Sequence, residues 1–417
     1  MEPIRVEREI APGKGGARGE FIQGDTPALL PGLIERYAGR VKLVYLDPPF
    51  QTGGKFVVRV KAGEEDWRKS RPSLTFPAYD DSMPREEYYA MMRTVLSGCR
   101  ELLADDGMLF LHIDYRTTAR MRLMLDEIFG EERFLNEIIW AYQSGGRSKR
   151  YFSRKHDTIL FYAKTERYDF DQTDVMTVPD KPRDNHMRRH VDPDGRVYRS
   201  IKSGGKVYTY YDDEPVAPSD VWSDLSHIQQ KDPQRTGYDT QKPLPLLDRI
   251  VKCASRRGEL VADLFCGSGT TLEAAQMNGR AFLGVDRSPF TANILRRRLS
   301  AGGYALSVGE AAFPLEAEAR VHTGVGFYRV TLAEPAFPQG ALPEGLTGWD
   351  GVDGWSAGYV TDGDYRIMAQ AVRTNRQPAL PQTLDVPVYM GELCVAIYDV
   401  AGNSHYYRVP ASSFNLA

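Results

Sequence analysis

Four short apolar runs in this chain each end on an aspartate: 41–46 before Asp47, 108–113 before Asp114, 259–262 before Asp263 and 281–285 before Asp286. Runs this short and this continuous suit strands buried on both faces of a parallel sheet, whose C-terminal ends carry function. Between them stand helical patterns at 27–37, 85–103, 117–129, 244–255 and 269–277. Strand alternating with helix predicts an α/β fold, a Rossmann-like doubly wound and mostly parallel sheet. Residues 136–142 and 158–163 read as two further strands around a Gly145–Gly146 turn, an antiparallel pair closing one edge. At 417 residues the chain exceeds one minimal core and fits one large α/β domain with additions. Its 42% apolar and 26% charged residues are those of a globular protein. The longest apolar runs fall far short of the roughly 20 residues of a membrane span, so no membrane partner is expected. Residues 1–20 lack the apolar centre of a signal peptide, which predicts a cytoplasmic protein. Cys99, Cys253, Cys266 and Cys394 lie far apart, so neither a disulfide frame nor a metal site is expected.

Two stretches break the rhythm. Residues 51–84, with Gly53–Gly54 and several prolines, read as a long mobile loop beside the first acidic strand end. Residues 165–238 are polar and rich in Tyr, Asp and Gly, and read as an inserted module. Between positions 147 and 206 stand fifteen Lys or Arg against nine Asp or Glu, a local +6 inside a chain of net charge −3. That stretch, with Arg147, Lys149, Arg150, Arg154, Arg188, Arg189, Lys202 and Lys206, is a candidate phosphate-facing surface. A solvated charged insert is the plainer alternative. His186 and His190 lie four apart among arginines, which suits phosphate contact better than a metal.

The strongest motif runs from Val261 to Thr271, a strand entering a glycine turn that opens a helix. Gly267 and Gly269 let the backbone approach a ligand, and the helix start offers free N–H groups. No Lys-Ser/Thr pair follows as in a phosphate loop, and no third glycine as in nicotinamide enzymes. About 20 residues on, Asp286 ends the next strand, where a carboxylate can take both hydroxyls of a ribose. A second motif is Asp47-Pro48-Pro49-Phe50. Consecutive prolines fix the chain direction, so the Asp47 carboxylate and the Pro48 carbonyl can stand as paired acceptors. Paired acceptors suit an NH2 group, and Phe50 offers a flat face to a planar ring. Alone, such a tetrapeptide is more often a rigid turn than a catalytic site, and its pairing with the glycine turn reverses that weighting.

Together these motifs resemble the amino-group DNA methyltransferases that use S-adenosylmethionine to modify adenine N6 or cytosine N4. The resemblance covers roughly residues 20–300. It makes Asp47, Pro48, Pro49 and Phe50 the catalytic motif, and Asp263, Phe265, Cys266, Gly267, Ser268, Gly269, Thr270 and Thr271 the cofactor motif, with Asp286 on the ribose. It further implies that Asp25 contacts the cofactor adenine and that Gln241, Lys242 and Pro243 touch the methionine part. The catalytic motif precedes the cofactor motif, a circular permutation similar to the β class of this family, in which the intervening insert reads the target. With that order the expected segments are 1–20 (flexible), 21–164 (catalytic half), 165–238 (target recognition) and 239–302 (cofactor half), with seven strands in the sheet, and the glycines, prolines and short alternating segments of 303–417 read as a small β-rich appendage.

Aspartate at position 47, where cytosine-N4 members usually carry Ser or Thr, implies adenine N6. Cytosine-N4 methylation and a catalytically silent nucleic-acid-binding subunit are the alternatives. No Pro-Cys pair occurs in the chain, which sets aside the cytosine-C5 enzymes. The resemblance implies double-stranded DNA as partner, a flipped-out base, a place in restriction–modification, and a homodimer or a cognate endonuclease as further partners.

Overall fold

The acid-terminated runs form adjacent strands in a computed structural model that describes residues 1–13, 19–63, 72–142, 148–178, 187–229, 232–299 and 302–415. The central strands are β1 (Gly19–Gln23), β2 (Val41–Leu46), β3 (Leu103–Ile113), β4 (Phe134–Ala141), β5 (His156–Ala163), β6 (Leu260–Asp263) and β7 (Ala281–Asp286). Across the sheet they stand in the order β1-β7-β6-β2-β3-β5-β4. All run parallel except β5, which is antiparallel to both neighbours. Alternation splits each strand between two cores: Leu43, Tyr45, Met108 and Phe110 face one way, and Val44, Leu46, Leu109 and Leu111 the other. Helices α1 (Thr26–Tyr37), α2 (Arg85–Leu102) and α3 (Thr118–Phe129) cover the second face, with Leu30, Leu33, Met92, Val95 and Met121 buried on it. Helices α4 (Leu244–Ala254), α5 (Thr270–Met277) and α6 (Phe290–Arg298) cover the first through Leu247, Ile250, Leu272 and Leu295. This is a Rossmann-like doubly wound α/β fold. The chain leaves β2 toward α2 on one face and leaves neighbouring β6 toward α5 on the other. Their junction is thus the topological switch point, where such sheets bind ligands.

The structure departs from the sequence reading in three places. The stretch 51–84, expected as a loop, contains an antiparallel hairpin of Lys55–Lys61 and Ser73–Asp80. Its alternating Val58, Val60, Leu74 and Phe76 pack with Tyr238, Phe290 and Ile294, residues far away in sequence that no local pattern announces. Residues 1–20, expected to be flexible, supply Glu2–Pro3 and Arg8–Ala11 to the sheet. Residues 303–417 do not stand apart as an appendage. Beyond β1 the sheet continues through Tyr304–Ser307, Arg8–Ala11, Asp364–Val372, Val352–Thr361, Glu392–Asp399, Ser404–Arg408 and Glu2–Pro3 to fifteen strands. A second sheet of Thr383–Pro387, Phe327–Leu332, Ala319–Thr323 and Phe414–Asn415 shares a core with these strands around buried Trp355.

Within the insert, Arg188–Val191, Val197–Ser203 and Lys206–Tyr211 form a three-stranded antiparallel sheet. Gly204 and Gly205 turn its hairpin with φ of 58° and 81°, a left-handed pair suited to glycine. Val221–Trp222 then returns to extend the main sheet beside β4.

Candidate active site

Because β1, β2, β6 and β7 run parallel, their acidic ends share one crest. They open on a cleft of about 1020 Å³, open solvent at its mouth included, lined by Asp25, Asp47, Asp263, Asp286, Lys242 and the glycine turn, with Tyr45, Tyr79 and Tyr238. The turn is held from several sides. Asp263 accepts the Phe265 N–H at 3.1 Å and the Thr271 hydroxyl at 2.5 Å, fastening the start of α5 to the end of β6. Burial pushes this carboxyl up to about 7 against those hydrogen bonds. Asp286 accepts N–H groups from Gly267 at 2.7 Å and Ser288 at 2.8 Å, and burial raises it as well. Buried Arg298 donates to the Ser268 carbonyl at 2.7 Å and pairs with Glu273. Gly269 has φ of 73°, and a Cβ there would stand 2.3 Å from the Leu295 side chain, so close helix packing requires glycine. A Cβ at Gly267 would instead project toward the Tyr238 ring at 3.5 Å.

The end of β2 carries the second half of the site. Lys242 Nζ lies 2.5 Å from Asp47 Oδ2, joining the Asp-Pro-Pro-Phe segment to a residue 195 positions away. Asp47 Oδ1 is buried with no hydrogen-bond partner among the described residues. A buried acceptor left unpaired costs about 1–3 kcal/mol, so this atom is poised for a donor from outside the chain. Phe50 stacks on His112 with centroids 5.9 Å apart and planes 25° apart, and Lys242 Nζ lies 5.1 Å from the Phe50 centroid. His112 is itself fixed, with Nδ1 2.8 Å from Tyr45 Oη and Nε2 3.2 Å from Asp157 Oδ2. Tyr142 donates to Asp157 Oδ1 at 3.0 Å. Burial, the largest single influence, works against ionisation of Asp157, yet His112, the Lys242 charge and the Tyr142 hydroxyl together outweigh it and hold the carboxylate below its ordinary range. Asp81, at the end of the hairpin, accepts the N–H groups of Gln51 at 3.0 Å and Thr52 at 2.9 Å and so sets the turn after Phe50.

Of the residues singled out in the sequence, Asp25, Asp47, Pro49, Lys242, Asp263, Phe265, Cys266, Gly267, Ser268, Thr270, Thr271 and Asp286 line the cleft together. Pro48 is buried behind it and Phe50 stands at its side on His112. Gln241 turns away, accepting the Thr236 N–H at 2.8 Å and donating to the Gln234 carbonyl at 2.7 Å; Pro243 precedes α4 and Gly269 packs inward. Tyr79, Asp81, His112, Asp157 and Tyr238 were not singled out, because each acts through a partner remote in sequence. The His156–Asp157 step at the start of an apolar strand was the one local signal available. Lys149, Arg150, Arg154, Arg188, Arg189, Lys202 and Lys206 are exposed, whereas Arg147 and His186 lie outside the described residues. His190 stacks on Tyr198 and lies 2.8 Å from Ser200 Oγ.

The DNA methylase family of N6 and N4 amino-methyltransferases matches residues 41–297 of the chain. The chain is 31% identical over 330 residues to the type II methyltransferase M.EcaI of Enterobacter cloacae, covering 68% of this chain and 69% of that protein. It is 25% identical to the EcoPI Mod subunit of a type III restriction–modification enzyme from Escherichia phage P1, covering 61% of this chain and about half, 54%, of that subunit. With the DNA adenine methyltransferase YhdJ of Escherichia coli it shares 24% identity, over 64% of this chain and 77% of that one. A crest holding Asp-Pro-Pro-Phe beside a glycine turn, and a family match across both, make this chain a member of the DNA methylase family, amino-group methyltransferases that draw their methyl from S-adenosylmethionine.

Proposed function

We propose that the chain methylates adenine N6 in double-stranded DNA at a specific sequence, acting on a base flipped out of the helix. The observation that carries this reading is Asp47 Oδ1, a buried acceptor without a partner among the described residues, on a residue lining the cleft that also holds the glycine turn and Asp286. The cleft fits S-adenosylmethionine. Asp286 suits the ribose hydroxyls, Asp25 the adenine end, and the start of α5 with the Gly267 backbone the part between. Bound there, the cofactor supplies an activated methyl group.

The chain's own residues do the rest. The lone pair of an adenine amine is delocalised into the ring. Hydrogen bonds from that NH2 to Asp47 Oδ1 and the Pro48 carbonyl favour the pyramidal form and aim the lone pair. Lys242, on Oδ2, keeps the Asp47 carboxylate from rotating, so Oδ1 stays the acceptor. Phe50, backed by His112, gives the base a stacking face, and Asp47 or water receives the proton lost after transfer. The contribution is mainly orientation at near-attack distance.

Aspartate at position 47 and the adenine specificity in the name of one relative support N6 over N4. The basic residues of the insert and of the segment before β5 are assigned to DNA phosphates. A cytosolic restriction–modification setting, with a second copy of the chain or a cognate endonuclease as partner, accompanies the proposal.

Plasmid DNA incubated with the protein and isotopically labelled S-adenosylmethionine, then digested to nucleosides for mass spectrometry, should contain labelled N6-methyladenine. Labelled N4-methylcytosine, or no labelled nucleoside, rejects the reading. Asp47→Ala should reduce transfer at least about a thousandfold while cofactor binding by calorimetry changes less than about threefold.

A further inference from the structure

The segment 148–155 leads into β5 at the end of the sheet where Asp47 emerges. β4 runs parallel to β2, so its C-terminal end faces the same way, and β5 starts two strand spacings, roughly 10 Å, from β2. This segment carries Phe152, which is 98% exposed, beside Tyr151 at 58%. So large an apolar ring left in water needs a reason, and the chain around it is bonded within itself. Ser148 Oγ accepts the N–H groups of Arg150 at 3.2 Å and Tyr151 at 3.3 Å. The Ser148 N–H donates to Ser153 Oγ at 3.2 Å, and the Tyr142 N–H donates to the Lys155 carbonyl at 2.9 Å, closing the base of the turn. Arg154 lies between two aromatic rings, 3.9 Å from the centroid of Tyr115 and 4.6 Å from that of Tyr151, and donates to Tyr115 Oη at 2.7 Å. Tyr115 stands two residues beyond the end of β3, so this clamp ties the turn to the strand next to β2.

The turn is therefore a built projection with a phenylalanine at its tip. Its eight residues include four cations, Lys149, Arg150, Arg154 and Lys155, and no acid. An apolar ring ringed by cations matches a base stack flanked by phosphates rather than a protein or lipid core. The turn also connects to the catalytic motif through contacts already described, from Tyr142 through Asp157 and His112 to Phe50.

Resting on the reading of a flipped target base, we infer that Phe152 is the wedge that enters the duplex where that base leaves it. A base drawn out of the stack leaves a gap that costs a few kcal/mol of stacking and pairing, and an inserted aromatic ring restores part of it. Phe152 is thus a positioning residue: it touches neither the methyl donor nor the amine.

The test compares full-length wild type, Phe152→Ala and Phe152→Trp on two duplexes bearing the sequence found modified in plasmid DNA. One duplex is fully paired; the other has an abasic site opposite the target adenine, so that base is already loosened. On the paired duplex Phe152→Ala should lower kcat/KM about ten- to a hundredfold, and Phe152→Trp should stay within about threefold of wild type. On the abasic duplex all three should agree within about threefold. In binding assays, 2-aminopurine at the target position should brighten less with Phe152→Ala than with wild type. An Ala variant at the wild-type rate on the paired duplex, or one equally slow on both duplexes, overturns the wedge. Failure of the methyltransferase reading shows itself separately, as wild-type protein that transfers no methyl group to either duplex.

Discussion

Single residues at this site are set by partners the local sequence does not name. Asp47 is legible as a strand-end acid before two prolines, but its pairing with Lys242 appears only when the chain is folded. Asp263 shows the same at the level of charge. It reads as one more acid at a strand end, yet it is buried under the helix it fastens, and its carboxyl rises to about 7 from an ordinary value near 4. A carboxyl raised on folding favours the protonated folded form. Its contribution to stability is therefore greatest below about pH 4 and declines as pH rises toward 7. In Asp263→Asn an amide keeps a carbonyl for the Phe265 N–H and an NH2 for the Thr271 oxygen, without the buried charge. The melting temperature of this variant, measured by calorimetry, should fall less between pH 5.5 and 7.5 than that of wild type. Parallel curves for the two proteins would reject the assignment of buried charge to Asp263.

At the scale of elements, the parallel strands and their helices were legible because each carries its own period of apolar residues. The hairpin Lys55–Lys61 and Ser73–Asp80 was not. Glycines and prolines flank it, Pro77 sits within it next to an irregular register step, and its apolar face finds cover only on Tyr238, Phe290 and Ile294. The hairpin also grips the segment that leads to Lys242: the Arg59 N–H donates to the Gly237 carbonyl at 2.9 Å. Gly237 has φ of 92°, and a Cβ there would lie 2.0 Å from the Arg59 carbonyl oxygen, so side chain and pairing exclude each other. Gly237→Ala should cost about 2–4 kcal/mol in urea unfolding and weaken cofactor binding by calorimetry. Gly258, with φ of 85° and open space where a Cβ would stand, is the contrast. Gly258→Ala should cost only about 1 kcal/mol, the backbone penalty alone. Equal losses in the two variants would show that the hairpin contact adds nothing.

Over the whole molecule, the least legible fact is that the first and last parts of the chain complete one sheet. Their bond is a buried ion pair. Arg296 on α6 donates to both oxygens of Glu9, at 2.8 and 2.9 Å, with both side chains fully enclosed. Ser404 accepts from the same guanidinium at 2.9 Å and the Tyr406 hydroxyl donates to Glu9 at 3.0 Å, so two distant segments meet on α6. Removing one partner leaves the other charge buried alone. Arg296→Met should therefore lose about 3–5 kcal/mol by denaturant unfolding, and adding Glu9→Gln should recover part of it. A loss below about 1 kcal/mol for the single variant would mean that the pair does not bind these segments together. The sequence by itself determined the alternating α/β order, the two motifs and the order in which they come, because periodicity and turn chemistry are written within a dozen residues. Tertiary structure alone decided that the motifs share a cleft, that Lys242 clamps Asp47, that 55–61 and 73–80 pair as a hairpin and that strands from 2–11 and 304–408 extend the sheet. Those facts depend on surfaces that exist only after distant segments have packed, and no local period encodes which surface a segment will find.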